Sequence, residues 1–579
     1  MKLSDVISKE NKRTILLVCK TILASASLML LEGIRVTDVL SLLFVVSFWL
    51  LFRKEWDYDR REKIVVGVTA AVITFFVFLH GTQVLHDYEI TSISKGICLL
   101  TILIGTWLLA NHIIAFAYSF LKDKGINASK SLEIPRRKWL LYWLIMLACQ
   151  IPFYLCFFPG SVISDSTHQI LQAMRHSYSN HHPVVQTWMI QGVLWIVSRF
   201  TDSLNALVAT YVALQEICVT AIYTYIVYTM YRMKVKKSAL IIAYVYFALM
   251  PFNVMMSDNM WKDTLFSAAF ALLIAVLWKA LKEDDLADAL LIVLSGFVVC
   301  MFRNNGWYAY IASLPFLLVL FWKKKRVVVS LVAVVAISVL FRGPIFKAFN
   351  VSSPTIAESL SIPLQQIGNV IVKGGELSSE ERLMLEQAIE IDKVEDAYDP
   401  RCSDPMKDLL NAKESGRYVI DNKVGFLKLW MNLGIRYPGF YLEAFVNQTE
   451  GYYNPDIQRY QYTQGVWATQ MPIQNTPLLP DSVCRAIKWY ISDWAYKLPA
   501  LGMLKSIGFY VWIFFGLAGL CIFKRDYKKT IIFLPMVLYW GTLIIATPVY
   551  AEFRYIYALF LCMPIYLVAS ISREEKIID

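Results

Sequence analysis

The sequence predicts an all-α polytopic membrane protein with about fourteen transmembrane helices, and three observations predict it. Hydrophobic residues make up 57% of the 579 positions and charged ones only 17%, against roughly 25% charged in a soluble globular protein. Aromatic residues reach 14%, as expected where Trp and Tyr line the two membrane interfaces. Apolar stretches near the ~20 residues that cross a bilayer as a helix recur along the whole chain. They centre on 14–34, 36–52, 64–86, 94–120, 139–158, 204–230, 239–256, 264–281, 287–302, 306–322, 327–342, 507–523, 530–549 and 555–571.

The opening "MKLSDVISKENKR" is too polar for a cleavable signal peptide, and the apolar stretch after it runs on without a small-residue cleavage site. The first four spans form an N-terminal set over residues 1–137. The fifth ends at Pro159-Gly160, and a large loop, 159–203, follows it. Within that loop lies "VVQTWMIQGVLWIVS" (184–198), whose fifteen residues rise only about 22 Å as a helix, short of the ~30 Å hydrocarbon layer.

Charge decides whether this stretch crosses. If it does not, both termini and the basic loops 53–63, 121–138, 231–237, 323–326 and 524–529 share one face. If it does, the first two basic loops oppose the last three. Lys and Arg accumulate on the cytoplasmic face, so 184–198 is expected to lie on the outer surface as an amphipathic or re-entrant helix.

The same reasoning assigns 138–342 to a transmembrane core, 343–505 to an extracytoplasmic domain and 506–579 to the last membrane helices. The segment 343–505 carries 16 Lys and Arg against 19 Asp and Glu, a net of −3, which leaves +14 for the rest of a chain whose net charge is +11. It is expected to be mostly helical, with patterning near 378–397, where Ser-x-x-Glu marks a helix start, and near 417–448. The charge surplus therefore reads as cytoplasmic loops and not as a nucleic-acid surface. Of ten cysteines, eight fall in apolar runs; only Cys402 and Cys484 lie in the polar segment, where an oxidising compartment would let them pair. No CxxC or His/Cys metal spacing and no internal repeat is present. The sequon at Asn447 reads as chance.

This topology places every unusual polar cluster on the outer face. They are "SDSTHQ" and "HHP" in the first large loop, "SDNMWKD" at 257–263, "RNN" at 303–305 and "YAEFRY" at 550–555. Lys262, Arg303 and Arg554 are exceptions to the charge rule that fixed the topology. A charge near membrane depth costs a few kcal/mol, so each calls for an anionic partner or a wet cavity. Singly, each has a plain alternative. Arg303 could snorkel to the interface, Lys262 and Asp263 could be a helix cap and its neighbour, and Glu552 with Arg554 could be a structural pair. His181 and His182 could be turn residues, and Asp165 a first-turn acid favoured by the helix dipole. Independent accidents would not all choose one face. If 165–174 is helical, Asp165, His168, Gln169 and Gln172 form one polar stripe, with Ile163, Ile170, Leu171 and Met174 opposite.

A carboxylate among cations at the outer leaflet suits sugar transfer from a polyprenyl-phosphate donor. The acceptor hydroxyl needs a base, and the departing phosphate needs cations held ready. A single displacement inverts the anomeric centre. Asp165 and His182 are the catalytic candidates, and Lys262, Arg303 and Arg554 the donor-phosphate ligands. His168, Gln169, His181, Asp258, Asp263, Asn304, Asn305 and Glu552 are supporting candidates.

The clusters "SDSTHQ", "HHP", "WKD", "FRNNG" and "EFRY" together resemble the GT-C superfamily of integral membrane glycosyltransferases, which includes protein O-mannosyltransferases and the aminoarabinose transferase of lipid A. The likeness covers roughly 138–342 and looks most like a bacterial branch. It implies an inverting transfer outside the cytoplasmic membrane, with a polyprenyl-phosphate-sugar donor and an extracytoplasmic glycan, lipid or protein acceptor. It also implies that the first-loop acid, here Asp165, is the base or a metal partner, with Asp258 or Asp263 as a second-loop acid. The chain departs from the pattern in carrying a single Asp in place of a tandem pair, which leaves a divalent cation (Mg or Mn) open. Two rivals are a transporter or flippase of a lipid-linked or anionic solute, which would place charges near the midplane in symmetric halves, and an envelope polysaccharide polymerase or ligase.

Overall fold

Apolar stretches of this length satisfy every backbone hydrogen bond internally only as helices, and helices are what they form. The structure, a computed structural model, describes residues 9–86, 90–127, 133–457, 464–467, 471–492, 498 and 501–572. Among these the fold is all-helical, with β pairing confined to isolated bridges. Thirteen of the fourteen apolar stretches lie on a single helix each, and 239–256 lies on a bent pair. Among the described residues, nine helices are long and apolar enough to cross a membrane, ten if one bent pair counts as a single span. The chain is a membrane-embedded helical protein.

The bent pair is Lys237–Leu249 and Pro251–Asp258, which meet at 46°. Proline at 251 removes a helical donor and disfavours helical geometry in the residue before it, and Met250 is accordingly extended, with ψ 128. Val39–Phe52, at 14 residues, and Leu286–Phe302 and Ile507–Phe523, at 17 each, sit at or below the short end of a crossing helix.

Lys262–Ala280 is the central column. It is apolar all round, and its side chains from Phe266 to Ala280 are buried without a break. It packs against Leu204–Arg232, Leu286–Phe302 and Phe553–Ile571. The N-terminal helices Lys9–Leu31 and Ser92–Lys122 approach so closely that a side chain at Gly105 would meet the Leu23 carbonyl at 2.2 Å.

The basic loops gather at one end of the bundle, where their side chains cap exposed helix carbonyls, a favourable place for cations. Lys524 Nζ donates to Ser570 O at 3.1 Å, Lys529 Nζ to Ser572 O at 3.0 Å and Lys324 Nζ to Glu283 O at 3.0 Å. Arg61 reaches the Ile522 carbonyl, Arg232 pairs with Glu283, and Lys236 N donates to Ile126 O. Helix Arg136–Cys156 leaves this end and Leu204–Arg232 returns to it, so Val184–Val197, lying between them, does not change ends.

A second hydrophobic core stands apart from the main one. Leu364, Ile367, Leu385, Met406, Leu410 and Leu433 are among its fully buried members. The helix expected near 378–397 runs from Ser379 to Ala388, with a capping box closed by Ser378 and Glu381. Val446, Tyr452, Tyr453, Cys484 and Ile491 join the main core instead. Cys402 and Cys484 are both free thiols. Cys402 pairs its backbone with Val549, and the Cys484 carbonyl accepts from Cys156.

Candidate functional site

At the end of the bundle opposite the basic loops, several helices begin around one cavity of about 630 Å³. Asp165 is the second residue of helix Ser164–Arg175, Lys262 the first of Lys262–Ala280 and Arg554 the second of Phe553–Ile571. Arg303 is the extended N-cap (φ −145, ψ 136) between Leu286–Phe302 and Asn304–Phe321. All four line the cavity, together with His181, His182, Asn304 and Asn305. Helix N-termini carry partial positive charge and unbonded N–H groups, so the backbone adds to the cations.

Arg554 Nη1 donates to Asp165 Oδ2 at 2.8 Å, and Lys262 Nζ lies 3.9 Å from the same oxygen. Arg554 Nε also lies 3.4 Å from Glu552. Arg303 is paired with Asp263, which is fully buried. Both guanidiniums lie against Tyr555, with ring-centroid distances of 4.4 Å for Arg303 and 5.2 Å for Arg554. Burial alone would push the Asp165 carboxyl up, but Arg554 and then Lys262 overcome it and hold the group well below the usual carboxylate range. Burial and the Lys262 charge push the His182 imidazole down to about 3. His182 is therefore neutral at physiological pH, and its buried Nδ1 has no hydrogen-bond partner among the described residues.

The polar stripe expected on Ser164–Arg175 does not form a single wall. Only Asp165 faces the cavity. Gln169 is buried, with Nε2 donating to Thr187 Oγ1 at 3.2 Å, and Gln172 Oε1 accepts from Ser179 N at 3.0 Å. His168 is exposed outside the lining, and Met174, expected on the apolar face, is 46% exposed. Asp258 also stands outside the cavity, buried and accepting from Ser161 Oγ at 2.8 Å. Asp263 and Glu552 act behind the lining, through Arg303 and Arg554. Asn305 Nδ2 donates to Thr542 Oγ1 at 3.0 Å, and Asn304 Oδ1 accepts from Arg342 at 3.0 Å.

Sequence reasoning missed two contributions. Arg342 reads as an ordinary residue at the end of a span, yet it ties Asn304 to the Cys300 carbonyl at 2.7 Å. A further wall comes from Glu358, Asp404, Lys407, Asp408 and Asn411. Its signal was present, since Asp404, Lys407, Asp408 and Asn411 stand at i, i+3, i+4 and i+7, one face of a helix.

The only cluster of carboxylates close enough together to hold a metal, among the described residues, is Glu283, Asp285 and Asp288. It lies near the basic loops, and Lys279 Nζ already sits 2.9–3.5 Å from its three carboxylates. At the cavity, the Asp165 carboxylate is flanked by two cations within 3.9 Å. That set does not suit a divalent ion.

Fold and site together define a polytopic helical membrane protein with a charged cavity at one end of its bundle. The chain belongs to the DUF6020 family, a family of unknown function, which matches residues 126–579. The match leaves out the first four helices. No curated protein and no solved structure matches the chain.

Proposed function

We propose that the chain is an inverting glycosyltransferase of GT-C type. It moves a sugar from a polyprenyl-phosphate-linked donor to an extracytoplasmic acceptor: a cell-envelope glycan, a lipid or a protein. The observation that carries this reading is the meeting of Asp165 with Lys262, Arg303 and Arg554 in one cavity, from four turns far apart in sequence. Three cations at helix N-termini suit a phosphate, and the carboxylate among them suits a hydroxyl nucleophile.

Arg554 and Lys262 hold Asp165 ionised and weakly basic. A donor phosphate competes for those two cations and releases the carboxylate, so basicity rises when the donor is in place. Asp165 then takes the acceptor O–H proton as the new O–C1 bond forms. The C1–O bond to phosphate breaks with its electron pair going to the phosphate oxygen, which the cations receive without a proton. Neutral His182 serves as a hydrogen-bonding neighbour to the acceptor. No step is routed through a metal.

The reading includes fourteen crossings, cytoplasmic termini and a cavity outside. The gathering of the basic loops at the far end supports that orientation. A second reading, a transporter, has the bent pair Lys237–Leu249/Pro251–Asp258 and the buried Glu216 in its favour, since broken helices and intramembrane acids mark solute paths.

The two separate in proteoliposomes given polyprenyl-phosphate-sugars. Asp165-dependent release of polyprenyl phosphate, and loss of a sugar modification from envelope glycans of cells lacking the gene, support transfer. Movement of the intact lipid between leaflets without sugar release would replace the transferase with the transporter.

A further inference from the structure

The cavity has two walls of opposite charge. The first presents three cations, Lys262, Arg303 and Arg554, with one carboxylate, Asp165. The second presents three carboxylates, Glu358, Asp404 and Asp408, with one cation, Lys407.

The second wall is a built surface. Helix Asp404–Asn411 buries Met406, Leu409 and Leu410 in the second hydrophobic core, which turns Asp404, Lys407, Asp408 and Asn411 toward the cavity. Lys407 is held at 2.9 Å by Glu358 and 2.7 Å by Asp404, with its side chain only 7% exposed. Pinned this way, it is spent on its own neighbours and is not free to meet a ligand anion. Asp408 forms no ion pair among the described residues and is exposed.

Two further observations point to a ligand here. Asn411 Oδ1 is buried and lacks a partner among the described residues. His182, 5% exposed and lining the same cavity, also keeps a nitrogen without a hydrogen-bond partner among the described residues.

We infer that the wall made by Glu358 and helix Asp404–Asn411 is the acceptor subsite, and that it takes a neutral or amine-bearing polyhydroxyl ligand and rejects anionic ones. The inference rests on the transferase reading and adds the acceptor's class to it. Carboxylates and an amide oxygen accept hydrogen bonds from hydroxyl and ammonium groups. A phosphorylated or uronic acid acceptor would face the unpaired Asp408 carboxylate, with Glu358 and Asp404 only partly offset by the single cation Lys407. Like charges so placed reject the wrong partner.

The test uses the full-length chain in nanodiscs with three probes, glucosamine, glucose and glucuronate at neutral pH, read by saturation-transfer NMR. We expect glucosamine to bind best and glucuronate least, about fivefold apart, the scale of one unit-charge contact in a water-filled site. Asp408→Lys, a change at an exposed residue, should erase or invert the order.

Equal or better binding of glucuronate by the native chain, an unchanged order in D408K, or no binding of any probe would overturn the assignment. A parallel titration with polyprenyl phosphate keeps the two proposals apart. Normal lipid-phosphate binding with the wrong sugar order removes the acceptor subsite alone, whereas a native chain that fails to bind polyprenyl phosphate removes the transferase reading beneath it.

Discussion

Arg554 donates to Asp165 at 2.8 Å from 389 positions further along the chain. The bond joins the start of a loop helix to the start of the last membrane helix, and Lys262 adds a second cation to the same oxygen. This contact makes acid and cation one unit whose state depends on what else is in the cavity. A phosphate would draw the cations away from the carboxylate, so ligand binding and basicity are coupled.

The coupling separates binding from chemistry in Asp165→Asn. The amide cannot take a proton, and kcat should fall about 10²- to 10⁴-fold. It also stops neutralising Arg554 and Lys262, so polyprenyl phosphate should bind more tightly than to the native chain. Steady-state kinetics and a lipid-phosphate titration check both halves. Weaker phosphate binding in this variant would make the ion pair a structural brace.

The same coupling has a pH signature. Before donor binds, Asp165 is held below the usual carboxylate range, so on the transferase reading kcat/KM should show no acidic limb from it above about pH 4. With phosphate bound, the carboxylate loses its two cations and its pKa rises, so the acidic limb of kcat should lie at higher pH than that of kcat/KM. Coincident limbs would mean that the donor leaves the Asp165 pair intact.

Much of this was legible in the sequence, for physical reasons that can be named. Length and hydropathy mark the helices, and the stretch 184–198, which the loop charges kept on one side, forms a helix of only 14 residues. Lys262, Arg303 and Arg554 stood out because they violate the rule that fixed the topology. The stripe on Ser164–Arg175 failed because Gln169 is satisfied by packing against Val184–Val197, and period alone cannot tell a buried amide from an exposed one. The wall at Asp404–Asn411 went unread for a different reason. An eight-residue helix with a polar face looks like any solvent-facing turn until the partner across the cavity is known.

The turn that carries Arg303 should be intolerant of added volume. A side chain at Gly306 would meet the Val299 carbonyl at 2.4 Å and the Phe266 ring at 2.6 Å. Neither neighbour can move freely, since one is helix backbone and the other is a fully buried side chain of Lys262–Ala280. Gly306→Ala should therefore push the start of Asn304–Phe321 outward and cost about 1–3 kcal/mol. The expected result is lower thermal stability together with weaker donor binding. A stable variant with native donor affinity would show that the turn accommodates the methyl group without moving Arg303.

His182 gives the acid-side stability of the site its sign. Its pKa is depressed to about 3 in the fold and returns to about 6.5 in the unfolded chain. Between those values the unfolded state binds the proton more readily, so acidification destabilises the fold by up to about 1.4 kcal/mol per pH unit. Asp165 is also depressed, but the loss of its contribution starts only below the unfolded carboxylate value of about 3.9. In the window from about pH 6.5 to 4, His182 therefore acts and Asp165 does not. His182→Gln, which keeps a neutral hydrogen-bonding side chain, should flatten the fall in melting temperature across that window and leave the steeper loss below it. An unchanged slope would mean that His182 stays protonated in the fold, and its neutral role beside the acceptor would fall with it.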